Sequence, residues 1–517
     1  MSLYSRKNAR RSLFDTVMYR GVSQVISMLS YIVIVRGMTE QDFGVLSLLY
    51  AFIPILSTFA SFGLEQTLRR YQPEYLRSGN RSAAAWLVRV VASARFGSNV
   101  ALLAIVLLTW NLTAPLFKLA PYRADFALFC LLIMVHFQSR ILQLTLASHM
   151  LQRLSVGSMA VLNAGKLAAY LVLLHLDMFT LKAAIVADLL AYGAAYLVLK
   201  TAHLKFCTPP PSAEPFSPDA VERRRLLRYG FYNNFNDFGT MILTPRIDNF
   251  FIAALVDHIA VGAYAFYVRL GGMIGELRPT RLFDNVIQPI FFAIPREHAE
   301  ARIPRYFSLL VNMNLVWQLP FLAYVAGYHR EIVQILFDGK FLDRSFLLPV
   351  MVGFGTLQAF ERPAAFVAQY TERVSILLYS KVFAFYNVAA MLLLLPVAGL
   401  LGAAIATGSA NLMKNLFIWW FVRRMARWTN WAAVSVSILA IWGGAVLLCL
   451  GLKSITEWPP VVDLIAGACV VGLAWLFYVR SPALSHSDRE ILGNVLHGPE
   501  ARILGWIGVL RWQKLAG

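Results

Sequence analysis

The chain has 517 residues, of which 58% are hydrophobic and only 15% charged, whereas soluble domains run near ~25% charged. That balance excludes an ordinary soluble domain and fits a chain that crosses a membrane many times. Its net charge of +19, from 47 Lys and Arg against 28 Asp and Glu, would suggest nucleic acid in a soluble protein; here basic cytoplasmic loops and a cavity for an anion account for it, and no nucleic-acid partner is expected.

A membrane span needs about 20 mainly apolar residues. Fourteen segments meet that need, at roughly 13–35, 42–64, 84–110, 123–148, 155–175, 178–199, 229–256, 260–290, 306–327, 345–370, 374–395, 398–421, 431–452 and 459–479. The first apolar run is longer than a typical leader core and is read as a span rather than a cleavable leader. With the N-terminus inside, Lys and Arg concentrate in alternate loops: Arg69, Arg70, Arg77 and Arg81, then Arg223, Arg224, Arg225 and Arg228, then Arg423, Arg424 and Arg427. This bias places both termini in the cytoplasm.

The Pro-rich stretch TPPPSAEPFSP lies after the sixth span and reads as an extended connector. Short similarities repeat across it. Gly44 in DFGVLSLLYAF is matched by Gly262 in AVGAYAFYVRL, 218 residues on. Gln152–Ser155 is matched by Glu372–Ser375, and Ala183-Ala184-Ile185 by Ala403-Ala404-Ile405, both 220 residues on. The fold expected is an all-α integral membrane protein of about fourteen transmembrane helices. It comprises an N-terminal lobe (1–200), a cytoplasmic linker (201–228), a pseudo-symmetric C-terminal lobe (229–430), two extra helices (431–480) and a cytoplasmic tail (481–517). Parallel repeats place a substrate site where the lobes meet. In the tail, Ile503, Leu504, Trp506, Ile507 and Leu510 could form one face of an interfacial helix.

Charges inside the spans point to function, because each is costly in lipid. Arg95, Lys166, Asp188, Arg246, Asp248 and Arg269 fall near span middles. Arg20, Arg89, Arg140, Asp237, Glu276, Arg278, Glu361, Arg362, Lys381 and Lys414 lie nearer the ends, where long basic side chains can reach the headgroups. With Arg281 and Asp284 the spans hold twelve basic and six acidic groups. Such a surplus favours an anion, and Arg suits a phosphate or diphosphate. The substrate-binding candidates are Arg95, Lys166, Arg246, Arg269, Arg278 and Arg281. Asp188 and Asp248 are candidates for coupling to H⁺ or Na⁺, with a plain salt bridge as the simpler role. Pro245 is expected to kink the seventh span. Gly271, Gly272, Gly275 and Pro279 interrupt the eighth.

No GxSxG, HExxH or P-loop pattern occurs. Cys130, Cys207, Cys449 and Cys469 have no metal-ligand spacing. Neither an enzymatic activity nor a metal or organic cofactor is expected.

The first two spans, with DFG at Asp42–Gly44 and FGLEQTLRRYQPEY at Phe62–Tyr75, resemble the O-antigen and exopolysaccharide flippases of the multidrug/oligosaccharidyl-lipid/polysaccharide exporter superfamily. The span count and repeat extend the resemblance over about residues 10–480. It implies a two-lobed, V-shaped transporter of the bacterial cytoplasmic (inner) membrane. Such a protein moves a polyprenyl-diphosphate-linked oligosaccharide to the outer leaflet by alternating access through a cationic cavity. Membrane lipids and other polysaccharide-assembly proteins would be its partners. A membrane polymerase or ligase of the same pathway is the alternative from another class, disfavoured by the short outer loops. A drug or cation antiporter is disfavoured by the basic interior.

Overall fold

In a computed structural model the described residues are 6–208, 216, 219–276, 278–282, 287, 291–292, 294–456 and 458–495. They are almost wholly helical, with no strand among them. Asp284, most of the Pro-rich connector and the expected interfacial helix around Trp506 lie outside the described residues. Close contacts divide the chain into two units, Met1–Ala265 and Phe266–Gly517.

Unit 1 is built from α1 (Arg6–Gly37), α2 (Glu40–Ser61), α3 (Leu64–Arg77), α4 (Arg81–Leu108), α5 (Arg123–Ser148), α6 (Gln152–His175), α7 (Leu181–Phe206), α8 (Ala220–Ile242), α9 (Pro245–Leu255) and the start of α10 (His258–Glu276). The helix starts are written locally. Thr39 accepts a hydrogen bond from the Asp42 N–H at 3.1 Å to cap α2, Asn80 one from Ala83 at 2.9 Å to cap α4, and Asp219 one from Glu222 at 2.7 Å to cap α8. Each satisfies a backbone donor that the first turn leaves over. α3 is not a span: its LEQTLRRYQPEY sequence buries Leu68, Tyr71 and Tyr75 on one face and exposes Arg69, Arg70 and Arg77 on the other. α1 packs along α6, α5 lies against α7, and α2 touches α4, α7, α8 and α9.

The expected seventh span, 229–256, is two helices. Thr244 is extended (φ −90°, ψ 141°), and Pro245 opens α9 at its first position. Proline disfavours the helical conformation in the residue before it and costs nothing at a helix start, where its missing N–H has no partner to lose. The feature expected as a kink is therefore a full break.

Unit 2 contains the rest of α10, α11 (Ala299–Phe337), α12 (Leu347–Leu357), α13 (Glu361–Tyr370), α14 (Val374–Tyr379), α15 (Phe383–Val422), α16 (Trp431–Ser437), α17 (Gly444–Ile455), α18 (Pro460–Arg480) and α19 (His486–Val495). A π turn, Ile438–Gly443, joins α16 to α17. Phe307, Val311, Leu315 and Leu319 of α11 form a buried row shared with Phe366 and Val367 of α13, Cys449 of α17 and Tyr478 of α18. α15 is a hairpin of two arms. Gly399 takes φ 56° and ψ −140°, and Thr407 donates to Asn387 at 3.1 Å, twenty positions back. These arms correspond to the spans expected at 374–395 and 398–421.

Ten helices among the described residues are long and apolar enough to cross a membrane. The spans drawn at 229–256, 260–290 and 345–370 are not among them; their described residues fall in more than one helix, and the longest of these, α8 and α10, are not apolar enough. Asp248, Arg278 and Glu361 sit in these divided segments.

Candidate functional site

The charged interior of unit 1 has two centres. At the first, Arg95 of α4 is fully buried. Its guanidinium lies 3.5 Å from Glu65 at the start of α3 and donates to the carbonyl and hydroxyl of Ser57 on α2 at 3.0 and 3.2 Å. The Phe137 ring of α5 lies against it, 4.3 Å from Cζ to the centroid, within cation–π range. Arg140 of α5 approaches the other Glu65 oxygen at 3.9 Å. Arg95 thus ties four helices together. Glu65 lies between the spans read from sequence and was not counted among the interior acids, so the cationic surplus is smaller than the span census implied.

At the second centre, Asp188 of α7 is fully buried. Lys166 of α6 stands 3.0 Å from its Oδ1. The hydroxyls of Tyr50 and Tyr170 donate to its two oxygens, one each. Lys166 also donates to the Tyr50 hydroxyl at 2.9 Å and lies over the rings of Tyr50 and Tyr192. Three donors on one carboxylate make a structural ion pair. A cation reaching Asp188 would have to displace the Lys166 ammonium.

His136 of α5 packs edge-on against Phe137, which lies on Arg95, and against Tyr192, which lies under Lys166, both at 5.4 Å. The charges of Arg140, Lys166, Arg246 and Arg95 all reach it. On α9, Arg246 is exposed whereas Asp248 is fully buried and accepts from the Tyr264 hydroxyl at 2.6 Å. Residues two apart on a helix point to different sides. Asp237 of α8, half-buried, accepts from Gln66 at 3.3 Å.

Unit 2 has its own cationic group. Glu361, at the start of α13, is approached by Arg281 and by Lys414 of α15, both at 3.6 Å. The charges of Arg278 and Arg362 also act on it. Arg278 is buried, with its Nε donating to the Gly275 carbonyl at 3.0 Å. Arg269 lies half-buried on α10. Two cations thus contact the Glu361 carboxylate and two more act on it from farther away.

The structure therefore brings Arg95, Lys166, Arg246, Asp188 and Asp248 into unit 1, and Arg269, Arg278 and Arg281 into unit 2. Glu65 and the tyrosines at Asp188 were not singled out from sequence. The signal that could have found Glu65 is its carboxylate beside the apolar FG turn. Lys414, expected to reach the headgroups as readily as to face inward, is instead only 12% exposed and directed at Glu361.

The profile of the family described as polysaccharide biosynthesis protein matches residues 10–278. That is more than half the chain, and the chain belongs to this family. A solved structure titled "Lipid II flippase MurJ, inward closed conformation" aligns over 93% of this chain and 99% of its own, with a TM-score of 0.65 and 10% identity. An inward-facing multidrug resistance MATE family transporter of the MOP superfamily aligns over 79% and 96%, with a TM-score of 0.62 and 13% identity. No curated protein matches the sequence significantly. The fold is that of the multidrug/oligosaccharidyl-lipid/polysaccharide exporter superfamily, as the first two spans suggested, and the chain is a multi-pass membrane protein with a transporter fold.

Proposed function

We propose that this protein flips a polyprenyl-diphosphate-linked oligosaccharide from the cytoplasmic to the outer leaflet by alternating access, for the assembly of a cell-surface polysaccharide. In this reading it lies in a bacterial cytoplasmic membrane with both termini inside. The observation that carries the reading is the set of cations whose charges converge on the Glu361 carboxylate. Arg281 and Lys414 approach it to 3.6 Å, and the charges of Arg278 and Arg362 act on it as well. A diphosphate is the complement of such a field, and its lipid tail can remain in the bilayer while the head crosses. Organic cations would be repelled. The family supports a place in polysaccharide synthesis. The relative named as a lipid II flippase handles a lipid-linked saccharide by its title, and at 10% identity it lends its fold only.

The couplings follow the same geometry. Asp188 and Asp248 are the carboxylates proposed for exchange of H⁺ or Na⁺; at Asp188 the exchange would displace the Lys166 ammonium. The deciding experiment is to deplete the protein in cells and locate the lipid-linked intermediate with a membrane-impermeant sugar label. Accumulation on the cytoplasmic leaflet is expected. Accumulation of single repeat units on the outer leaflet would overturn flipping and favour a polymerase.

A further inference from the structure

At the loop end of unit 1, α3, α4, α7 and the end of α5 with the residues after it line an open cavity of about 1530 Å³. It is separate from the charged centres described above: none of Arg95, Lys166, Arg246 or Asp248 lines it. Small-ligand pockets usually occupy ~300–1000 Å³, so this one has room for a head group and part of a chain. Arg70, Arg77, Arg81 and Arg89 all line it. The carboxylate on its wall, Glu74, is already held by Arg70 at 2.9 Å and Arg225 at 2.8 Å. The charges of Arg77, Arg81 and Arg89 are left to the cavity. His149 and His203 stand on the same wall.

A second observation points to a ligand. Gln72 lines the cavity with 0% exposure, and neither its amide nitrogen nor its amide oxygen has a hydrogen-bond partner among the described residues. A buried amide without partners is costly, and such groups are generally satisfied by something. One part of the wall is apolar, with Leu76, Ala84, Ala85, Val88, Leu151 and Phe206. Basic pockets between membrane helices suit anionic head groups.

We propose that this cavity is a second anion site, which takes the phosphate-bearing head of an amphiphile, with Arg77 and Arg81 contacting the phosphate, Gln72 a polar head-group atom, and the apolar wall the first part of the chain. The site stands whether or not the flipping reading does.

The test uses the full chain purified in detergent, titrated calorimetrically with dihexanoyl-phosphatidylglycerol, dihexanoyl-phosphatidylcholine and inorganic pyrophosphate. Phosphatidylglycerol should bind at least tenfold more tightly than phosphatidylcholine. The double variant R77Q/R81Q should lose at least tenfold in that affinity with its thermal unfolding unchanged, since both side chains are exposed. R302Q, which removes an exposed cation of unit 2 that does not line the cavity, should bind the lipid as the parent does. Equal binding of the two lipids, or unchanged binding in R77Q/R81Q, would overturn the proposal. Pyrophosphate binding that is as tight as that of phosphatidylglycerol and is lost in R77Q/R81Q would overturn the amphiphile, because the apolar wall would then contribute nothing.

Discussion

Gly44 of α2 and Gly262 of α10, which hold matching places in the two sequence repeats, lie against each other in unit 1. A Cβ at Gly44 would stand 1.8 Å from the carbonyl oxygen of His258, and one at Gly262 would stand 3.1 Å from that of Glu40 and 3.2 Å from the Gly44 Cα. The contact is between backbones, so no side chain can rotate aside. Gly44→Ala is expected to cost about 1–3 kcal/mol or more, the range for overpacking a close-packed contact. Gly97→Ala, whose Cβ would meet nothing within 4 Å, should be neutral or slightly stabilising, since Ala is favoured over Gly within a helix. Thermal unfolding of the two variants in detergent gives the comparison.

The Lys166–Asp188 pair should behave as a buried ion pair. Removing one member strands the other, at about 3–5 kcal/mol. Lys166→Met alone should therefore destabilise strongly, and Asp188→Asn added to it should recover much of the loss. A double-mutant cycle on unfolding reads the coupling. Additive single effects would show that the two groups do not depend on each other.

Arg95 and Arg246 should separate structure from transport. Arg95 is fully buried and bound to Glu65, Ser57 and Phe137, so Arg95→Leu is expected to lower the amount of folded protein. Arg246 is exposed on α9, and Arg246→Gln should cost under about 1 kcal/mol of stability while reducing surface glycan at least tenfold. Normal export by a well-inserted Arg246→Gln protein would remove this residue from the substrate path.

In unit 2, Glu361 holds Arg281 and Lys414. Removing the carboxylate leaves like charges facing each other, whereas removing Lys414 relieves them. Glu361→Gln should thus destabilise more than Lys414→Met, by about 3 kcal/mol at most, because Glu361 is only partly shielded. Added pyrophosphate should raise the melting temperature of Glu361→Gln more than that of the parent.

The Glu74 carboxyl is held below the ordinary carboxylate range, first by the hydrogen bond from Arg225, with the charges of Arg225 and Arg70 adding to it. Its folded pKa is depressed, so its contribution to stability is present above the unfolded carboxylate pKa and is lost as pH falls through the lower folded value. Glu74 and Arg225 are 35% and 46% exposed, which limits the effect to under about 1 kcal/mol. The difference in unfolding temperature between the parent and Arg225→Gln should shrink on acidification below the carboxylate range.

What the amino-acid sequence by itself determined is the class of protein and most of its helices. Length, apolar runs and local caps such as Thr39 and Asn80 act within a few residues, so they can be read directly along the chain. The substitution of a full break for a kink at Pro245 belongs to the same local chemistry, misjudged only in degree. Which charge meets which was decided by the tertiary structure. Lys166 and Asp188 are 22 positions apart on two helices, and Arg95 finds Glu65, thirty positions earlier and between the spans. Spacing along a chain carries no record of how far one helix is rotated or shifted against another. The cavity around Gln72 depends on the same lateral packing, since its wall is assembled from helices that only meet once unit 1 has folded.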